Sequence, residues 1–179
     1  MSYEERTVST ENIYKGRVIS LSLHKVELPN GKIADREIIS HPGGAFVIPL
    51  SDNGEVYMVR QFRKPMEKDL LELPAGKLDM GEEPIKCAIR ELKEETGLTA
   101  SSIRHVMTLN TAPAFCNERL FMFLATGLNE GESCKDEDEF LHTEKYHIDD
   151  LMNMVLNGEI TDAKTVAGIF YAHKVYKEK

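Results

Sequence analysis

Residues 76–98 read "GKLDMGEEPIKCAIRELKEETGL", and Glu82, Glu83, Glu91, Glu94 and Glu95 crowd into fourteen of those positions. Pro84 suits a first helical turn and Gly97 the left-handed position past a helix end, so the spacing predicts a helix over 84–96. Ile85, Ala88, Ile89 and Leu92 fall at i, i+3, i+4 and i+7 and are expected to face a sheet. Glu91 and Glu95 are four apart and Glu94 lies three beyond Glu91, which places three carboxylates on neighbouring positions of one side. Like charges at that spacing repel by roughly tenths of a kcal/mol when solvated, and by more when partly buried. One account of the cluster is a solvated acidic face. The other is a divalent cation, because Mg²⁺ takes hard oxygen ligands and shares them among carboxylates, waters and substrate phosphates.

The rest of the chain frames that choice. A length of 179 residues suits one domain, with room for a small appended lobe. With 41% hydrophobic and 29% charged residues, the composition is that of a soluble globular protein. A net charge of -8 argues against a non-specific nucleic-acid binder, whose affinity rests on basic residues. It leaves room for a phosphorylated small molecule, since a bound cation can supply positive charge. Cys87, Cys116 and Cys134 have neither CxxC nor Cys/His ligand spacing, so neither a disulfide framework nor a zinc site is expected. The polar start "MSYEERTVST" is no signal peptide and no apolar run reaches membrane-spanning length, so no membrane partner is expected and a reducing cytoplasm is the default.

Along the chain, residues 17–28 and 33–40 read as a hairpin turned at Asn30-Gly31, with few large apolar residues for a core of its own. "AFVIPL" (45–50) and 55–62 are buried-strand candidates, and "LLELPAG" (70–76) is a short strand running into a loop. Residues 103–111, 119–128 and "FLHTEKYHI" read as strands, with an acidic loop over 129–139. Residues 149–158 and 162–178 are predicted helices, with Asp149 and Asp162 as N-caps. Such an order favours a mixed sheet with helices on its faces.

The wider spacing of the acidic segment is specific. Gly76 is followed after five residues by Glu82, and after seven more by Arg90-Glu91-Leu92; Glu94-Glu95 and Gly97-Leu98 complete the pattern. This resembles the Nudix box, Gly-x5-Glu-x7-Arg-Glu-U-x-Glu-Glu-x-Gly-U with U aliphatic. At average residue usage such a match arises by chance at roughly one start site in 10⁸ or fewer. The resemblance implies an α/β fold of the Nudix type, an α/β/α sandwich with a mixed sheet, and hydrolysis of a diphosphate linked to another moiety. It implies Mg²⁺, or Mn²⁺, with about two or three ions per site. Glu91, Glu94, Glu95 and the Ala75 carbonyl would hold metal, with Glu94 and Arg90 in the catalytic set. Glu82 would brace Arg90 through a charge-assisted hydrogen bond, while Gly76 and Gly97 shape the loop-helix. Glu83 fits none of these roles and reads as solvated.

Flanking features resemble the ADP-ribose pyrophosphatase branch and related nucleoside diphosphate-sugar hydrolases. Arg63 in "QFRKP" resembles an arginine that grips the diphosphate, and Glu72 in "LELPAG" a residue bordering the site. Pro113 stands fifteen residues beyond Leu98, with Ala114 where many relatives have glycine. In "DEDEF", Glu139 would bind a further metal and Glu137 would be the general base; Glu118 is another candidate. Residues 35–45 resemble a connection from which Arg36 and Glu37 reach a neighbouring subunit's substrate. The implied organisation is an N-terminal antiparallel β subdomain over 1–42, used to form a homodimer, and a Nudix domain over 43–179. Tyr14 and Phe115 are candidates to stack on a base. The substrate class is a nucleotide sugar: ADP-ribose, cleaved to AMP and ribose 5-phosphate. Alternatives are another nucleotide sugar such as GDP-mannose, a nucleoside triphosphate, or a ligand-sensing Nudix domain without turnover. The scattered histidines and Met80, Met107 and Met122 are assigned no chemistry.

Overall fold

The computed structural model describes residues 3–131 and 140–178. Its backbone packing separates two units: Met1–Gly43 with Asn110–Arg119, and Gly44–Leu109 with Leu120–Lys179.

In the first unit, β1 (Arg6–Lys15), β2 (Ser20–Glu27) and β3 (Ile33–Ser40) form an antiparallel sheet in that order. Gly31 takes φ +78° in the β2–β3 turn and donates its N–H to the Leu28 carbonyl, while Asn30 Oδ1 accepts from the Lys32 amide. That is the conformation for which Asn-Gly is suited. β1 was absent from the sequence expectation, since "RTVSTENIYK" lacks an apolar face; every residue in it is exposed. Of the three strands only Val26 is fully buried. The Asn110–Arg119 segment pairs with the end of β3: Ile39 donates to Phe115 O and its carbonyl accepts from Asn117 N.

In the second unit β4 (Gly44–Pro49) explains the architecture. All six of its residues are buried, as expected for a strand covered on both faces. Phe46 and Ile48 join Met122, Leu124, Leu151, Ile169 and Ala172 in one apolar cluster. Ala45 and Val47, pointing the other way, join Phe123, Ala125, Cys87, Ala88 and Leu92 in a second. The strand is therefore sandwiched between α1 (Pro84–Thr96) on one side and α2 (Ile148–Leu156) and α3 (Ala163–Lys177) on the other. The central sheet runs β7 (Ala75–Lys77), β4, β9 (Arg119–Glu130), β8 (Leu98–Asn110), with β4 parallel to β9 and antiparallel to β7. A second sheet runs β10 (Leu141–His147), β5 (Glu55–Arg63), β6 (Lys68–Glu72), all antiparallel. The expected α/β/α arrangement with a mixed sheet is thus present.

Three local expectations are corrected. The strand read over 70–76 is two, β6 and β7, in different sheets. Leu73-Pro74 links them, and the Pro74 carbonyl accepts from Val47 N. α2 is capped by the His147 ring, which accepts from the Asp149 amide at 3.3 Å, so Asp149 is not its N-cap. Asp162 does cap α3, accepting from Thr165 N at 3.0 Å. Finally, α1 is rotated from its apolar stripe: Ile89 is 49% exposed, and the buried side carries Cys87, Ala88, Glu91, Leu92 and Glu95. Two glutamates have displaced an isoleucine from the interior, a substitution that apolar burial alone would disfavour.

Candidate active site

The rotation of α1 aims Glu91 and Glu95 at the β7 loop. Glu95, 2% exposed, accepts from the Ala75 amide at 2.9 Å. Glu91, 7% exposed, lies so close to Gly76 that a side chain there would begin 1.7 Å from Glu91 Oε1. Only glycine lets the carboxylate lie against this backbone. Gly97 ends α1 at φ +73°, its N–H donating to Lys93 O at 2.8 Å.

Arg90 ties the segment together. Its Nε and Nη2 each donate to Glu82 at 3.0 Å, which accounts for the expected Arg90–Glu82 contact. Its Nη1 reaches further, to Glu91 Oε1 at 2.6 Å and Glu94 Oε2 at 3.0 Å, and Nη2 also donates to Lys77 O at 3.3 Å. Glu82 in turn accepts from the Asp79 amide at 3.0 Å. The hydrogen bonds to Glu82 foremost, then the charge of Glu91, raise the Arg90 pKa further above its already high value. Arg90 holds the Glu82 carboxyl below its usual range. Glu83 is exposed and pairs with Lys86 at 2.9 Å, in keeping with a solvated residue. Burial pushes the Cys87 thiol up to about 12, which keeps it protonated and inert between the carboxylates and the sheet.

A second polar cluster adjoins the first. Arg63, ending β5, donates from Nε to Glu72 Oε1 at 2.7 Å and from Nη2 to Oε2 at 2.8 Å, a fork-to-carboxylate pair. Glu72 is only 1% exposed. Lys164 Nζ also donates to Glu72 Oε2, and to Asp162 Oδ2 at 2.8 Å. Asp162 Oδ2 accepts the Thr165 hydroxyl at 2.6 Å, and Thr165 Oγ1 accepts from the Leu73 amide at 2.9 Å. Burial pushes the Glu72 carboxyl up, but the bonds from Arg63 and the charge of Lys164 outweigh it, and the net shift is downward. The Arg63 pKa is raised, mostly by the bond to Glu72, with smaller contributions from the charges of Glu95 and Asp162. That contribution from Glu95 links Arg63 electrostatically to the acidic helix.

Sequence reading singled out Arg63 and Glu72 but not the α3 side of this cluster. The signal available was Lys164, a cation two residues after an N-cap, where the helix dipole favours anions. In the first unit, Arg36 forks onto Glu5, with Nε–Oε2 at 2.9 Å and Nη2–Oε1 at 2.6 Å. Glu37 stands opposite Leu23 and, with Arg36, His24 and Phe115, lines a cavity of 610 Å³ in the same unit. Tyr14 is exposed on β1, and Glu118 pairs with the His41 ring at 3.2 Å. Glu137 and Glu139 lie outside the described residues.

The donor set suits a hard divalent cation: three carboxylates and a backbone carbonyl, two of the carboxylates nearly sealed from water. Among the described residues no three side chains converge as a ligand cluster. Glu91 and Glu94 accept from Arg90, and Glu95 accepts from the Ala75 amide.

The comparisons with known proteins agree with this geometry. A family model described as "NUDIX domain" matches residues 40–168, and one described as "Nucleoside diphosphate sugar hydrolase N-terminal domain" matches 5–39. An ADP-ribose pyrophosphatase of Bacillus subtilis is 45% identical over 172 residues, 95% of this chain and 93% of that protein. A methanol dehydrogenase activator of Bacillus methanolicus is 40% identical over 171 residues, 94% of this chain and 92% of that protein. The crystal structure of an ADP compounds hydrolase shares the fold, with TM-score 0.86 at 21% identity over 99% of this chain and 97% of that one. The match over residues 40–168 contains the box segment with Glu91 set against Gly76, and the chain belongs to the Nudix family of hydrolases.

Proposed function

We propose that this enzyme hydrolyses the diphosphate linkage of ADP-ribose, giving AMP and ribose 5-phosphate, with Mg²⁺ (or Mn²⁺) as cofactor. The observation that carries the reading is the burial of Glu91 and Glu95 against the Ala75–Gly76 backbone, beside a forked arginine. Burying two carboxylates on one helix face costs several kcal/mol of desolvation, roughly, unless positive charge is brought to them. The substrate assignment is supported by the Bacillus subtilis relative, which is named for ADP-ribose and covers nearly the whole chain.

In this reading Glu91, Glu94, Glu95, the Ala75 carbonyl and Glu139 would hold metal, which when bound neutralises phosphate oxygens and lowers the pKa of water. Arg63 binds the diphosphate through the donors that Glu72 leaves unused, and Glu72 fixes its plane. Glu137 accepts the proton of the attacking water. The new bond forms from that water oxygen to phosphorus, and the bond from the same phosphorus to the bridging oxygen breaks. The bridging oxygen leaves with the second phosphate. Arg90 offsets the repulsion between Glu91 and Glu94, which would hold the metal. The first unit is the dimer-forming subdomain, offering Arg36 and Glu37 to a second copy's substrate. Its fully exposed β1 and the single buried residue of its three strands support that role. The enzyme works in the cytoplasm.

The test is a hydrolysis panel, with products resolved chromatographically, comparing ADP-ribose, GDP-mannose, NADH, diadenosine polyphosphates and 8-oxo-dGTP with Mg²⁺ and with Mn²⁺. ADP-ribose is expected among the best substrates, with AMP identified chromatographically. If another compound is turned over and ADP-ribose is not, the substrate assignment falls.

A further inference from the structure

Lys164 sits where neither stability nor helix chemistry favours a lysine. It is 9% exposed, so its ammonium has lost most of its hydration. It is the second residue of α3, at the helix end whose partial charge repels cations. A buried ion pair is commonly no more stable than well-packed apolar residues of the same volume. The position therefore calls for another explanation, and its contacts supply one.

Lys164 Nζ donates to Glu72 Oε2, the oxygen that also accepts Arg63 Nη2. Its other partner, Asp162, also caps α3 and accepts both the amide and the hydroxyl of Thr165, so its negative charge is directed to the helix end as well as to Lys164. Without Lys164, the Glu72 carboxylate would be spent on Arg63 alone, and a guanidinium so paired pulls more weakly on a second anion. With Lys164, one carboxylate is shared by two cations, so less of its charge is spent on Arg63 and the partly exposed side of the guanidinium attracts an anion more strongly. Among the described residues nothing engages Arg63 Nη1. The bidentate bond meanwhile fixes the guanidinium plane.

We propose that Lys164 is a positioning residue for Arg63, sharing the Glu72 carboxylate so that the arginine is held in place without being fully neutralised. The inference rests on Arg63 binding the diphosphate, and it assigns Lys164 an effect on substrate affinity that passes through Arg63. A lysine that only anchored α3 would alter stability and leave the balance of KM and kcat alone.

The experiment is a double-mutant cycle of Arg63→Gln and Lys164→Met, with Lys164→Gln alongside, on whichever panel compound the wild-type enzyme hydrolyses best. Failure of the ADP-ribose assignment is then visible in the wild type, before any variant is made. In the Arg63 background, Lys164→Met is expected to raise KM about tenfold with kcat changed less than about threefold. In the Arg63→Gln background the same change is expected to raise KM less than about twofold, since the residue it acts through is gone. Lys164→Gln keeps a donor but no charge, and is expected to match the methionine variant in KM; it carries the cycle if the methionine variant does not fold. An equal rise in KM in both backgrounds, or an unchanged KM beside Arg63, would overturn the proposal.

Discussion

Gly76→Ala isolates the placement of one carboxylate. Gly76 is not among the residues with positive φ, so the backbone accepts alanine without conformational strain. The new Cβ would stand 1.7 Å from Glu91 Oε1 and 1.9 Å from its Cδ, whereas ordinary contact begins at 3.4 Å. The carboxylate must retreat by about 1.7 Å, and because it ends a flexible side chain it can do so without unfolding α1. An off-rotamer side chain costs roughly 0.5–1.5 kcal/mol, and a weakened bond to Arg90 adds a comparable amount. A total near ~2 kcal/mol corresponds to a fall in Tm of about 4–8 °C for a domain of this size. Activity should suffer far more, because a misplacement of about 1 Å at a reacting centre can cost 10²-fold. The assay is initial-rate release of AMP from ADP-ribose across a range of Mg²⁺ concentrations, with melting followed in parallel. The expected result is a loss of roughly 10²-fold or more in kcat/KM and a higher Mg²⁺ requirement in a folded protein. A folded alanine variant within about threefold of wild type at every Mg²⁺ concentration would show that the clasp between Gly76 and Glu91 is not what the box provides.

Glu91→Gln keeps the side-chain shape and an oxygen that can accept from Arg90; kcat should fall by about 10²-fold or more while the protein stays folded, so wild-type-like turnover would defeat the metal-ligand assignment. Thr165→Val leaves the Leu73 amide without its buried acceptor, which should cost about 1–3 kcal/mol and lower Tm by roughly 3–10 °C in differential scanning calorimetry. The Glu144 carboxyl is lowered from 4.5 to about 2, mainly by its hydrogen bonds from Arg60. Its folded-state pKa being depressed, the pairing stabilises the protein above pH 4.5 and is lost as pH falls from 4.5 toward 2. Glu144→Gln should therefore be less stable than wild type near neutrality, and denaturant titrations should show the gap closing over that acid window. A gap independent of pH would assign the loss to packing.

The order of elements and the acidic helix were legible because their signals are local. Pro84 and Gly97 bracket α1 at the residues the sequence indicates, and "AFVIPL" reads as a strand covered on both sides because it is one. Asn30-Gly31 specified its turn for the same reason. What escaped was set by distant partners. The facing of α1 follows from the Ala75–Gly76 backbone, which receives Glu91 and Glu95; periodicity counts only apolar residues and so assigned Ile89 to the interior. β1 has no apolar face to announce it and is defined by its ladder with β2. The Nudix spacing identified Arg90, Glu91, Glu94 and Glu95 together, yet gave no sign that Arg90 also grips Glu91 and Glu94. The carboxylate of Glu72 and the ammonium of Lys164 are separated by 92 positions, beyond the reach of any local pattern.

That separation has a bearing on how the protein is made. A chain emerging from the ribosome has the whole box once Leu98 is out, and Arg63 and Glu72 sooner still. The Leu73 amide and the Glu72 carboxylate then wait for Thr165 and Lys164. At about 5–20 residues per second the interval is several seconds, during which Glu72 has Arg63 but not Lys164 and the Leu73 amide, just past β6, lacks its acceptor. Completion of the last helix is what lets that strand become core. A nascent or C-terminally clipped chain should thus expose the very segment that precedes the box, and quality-control proteases would meet it there first.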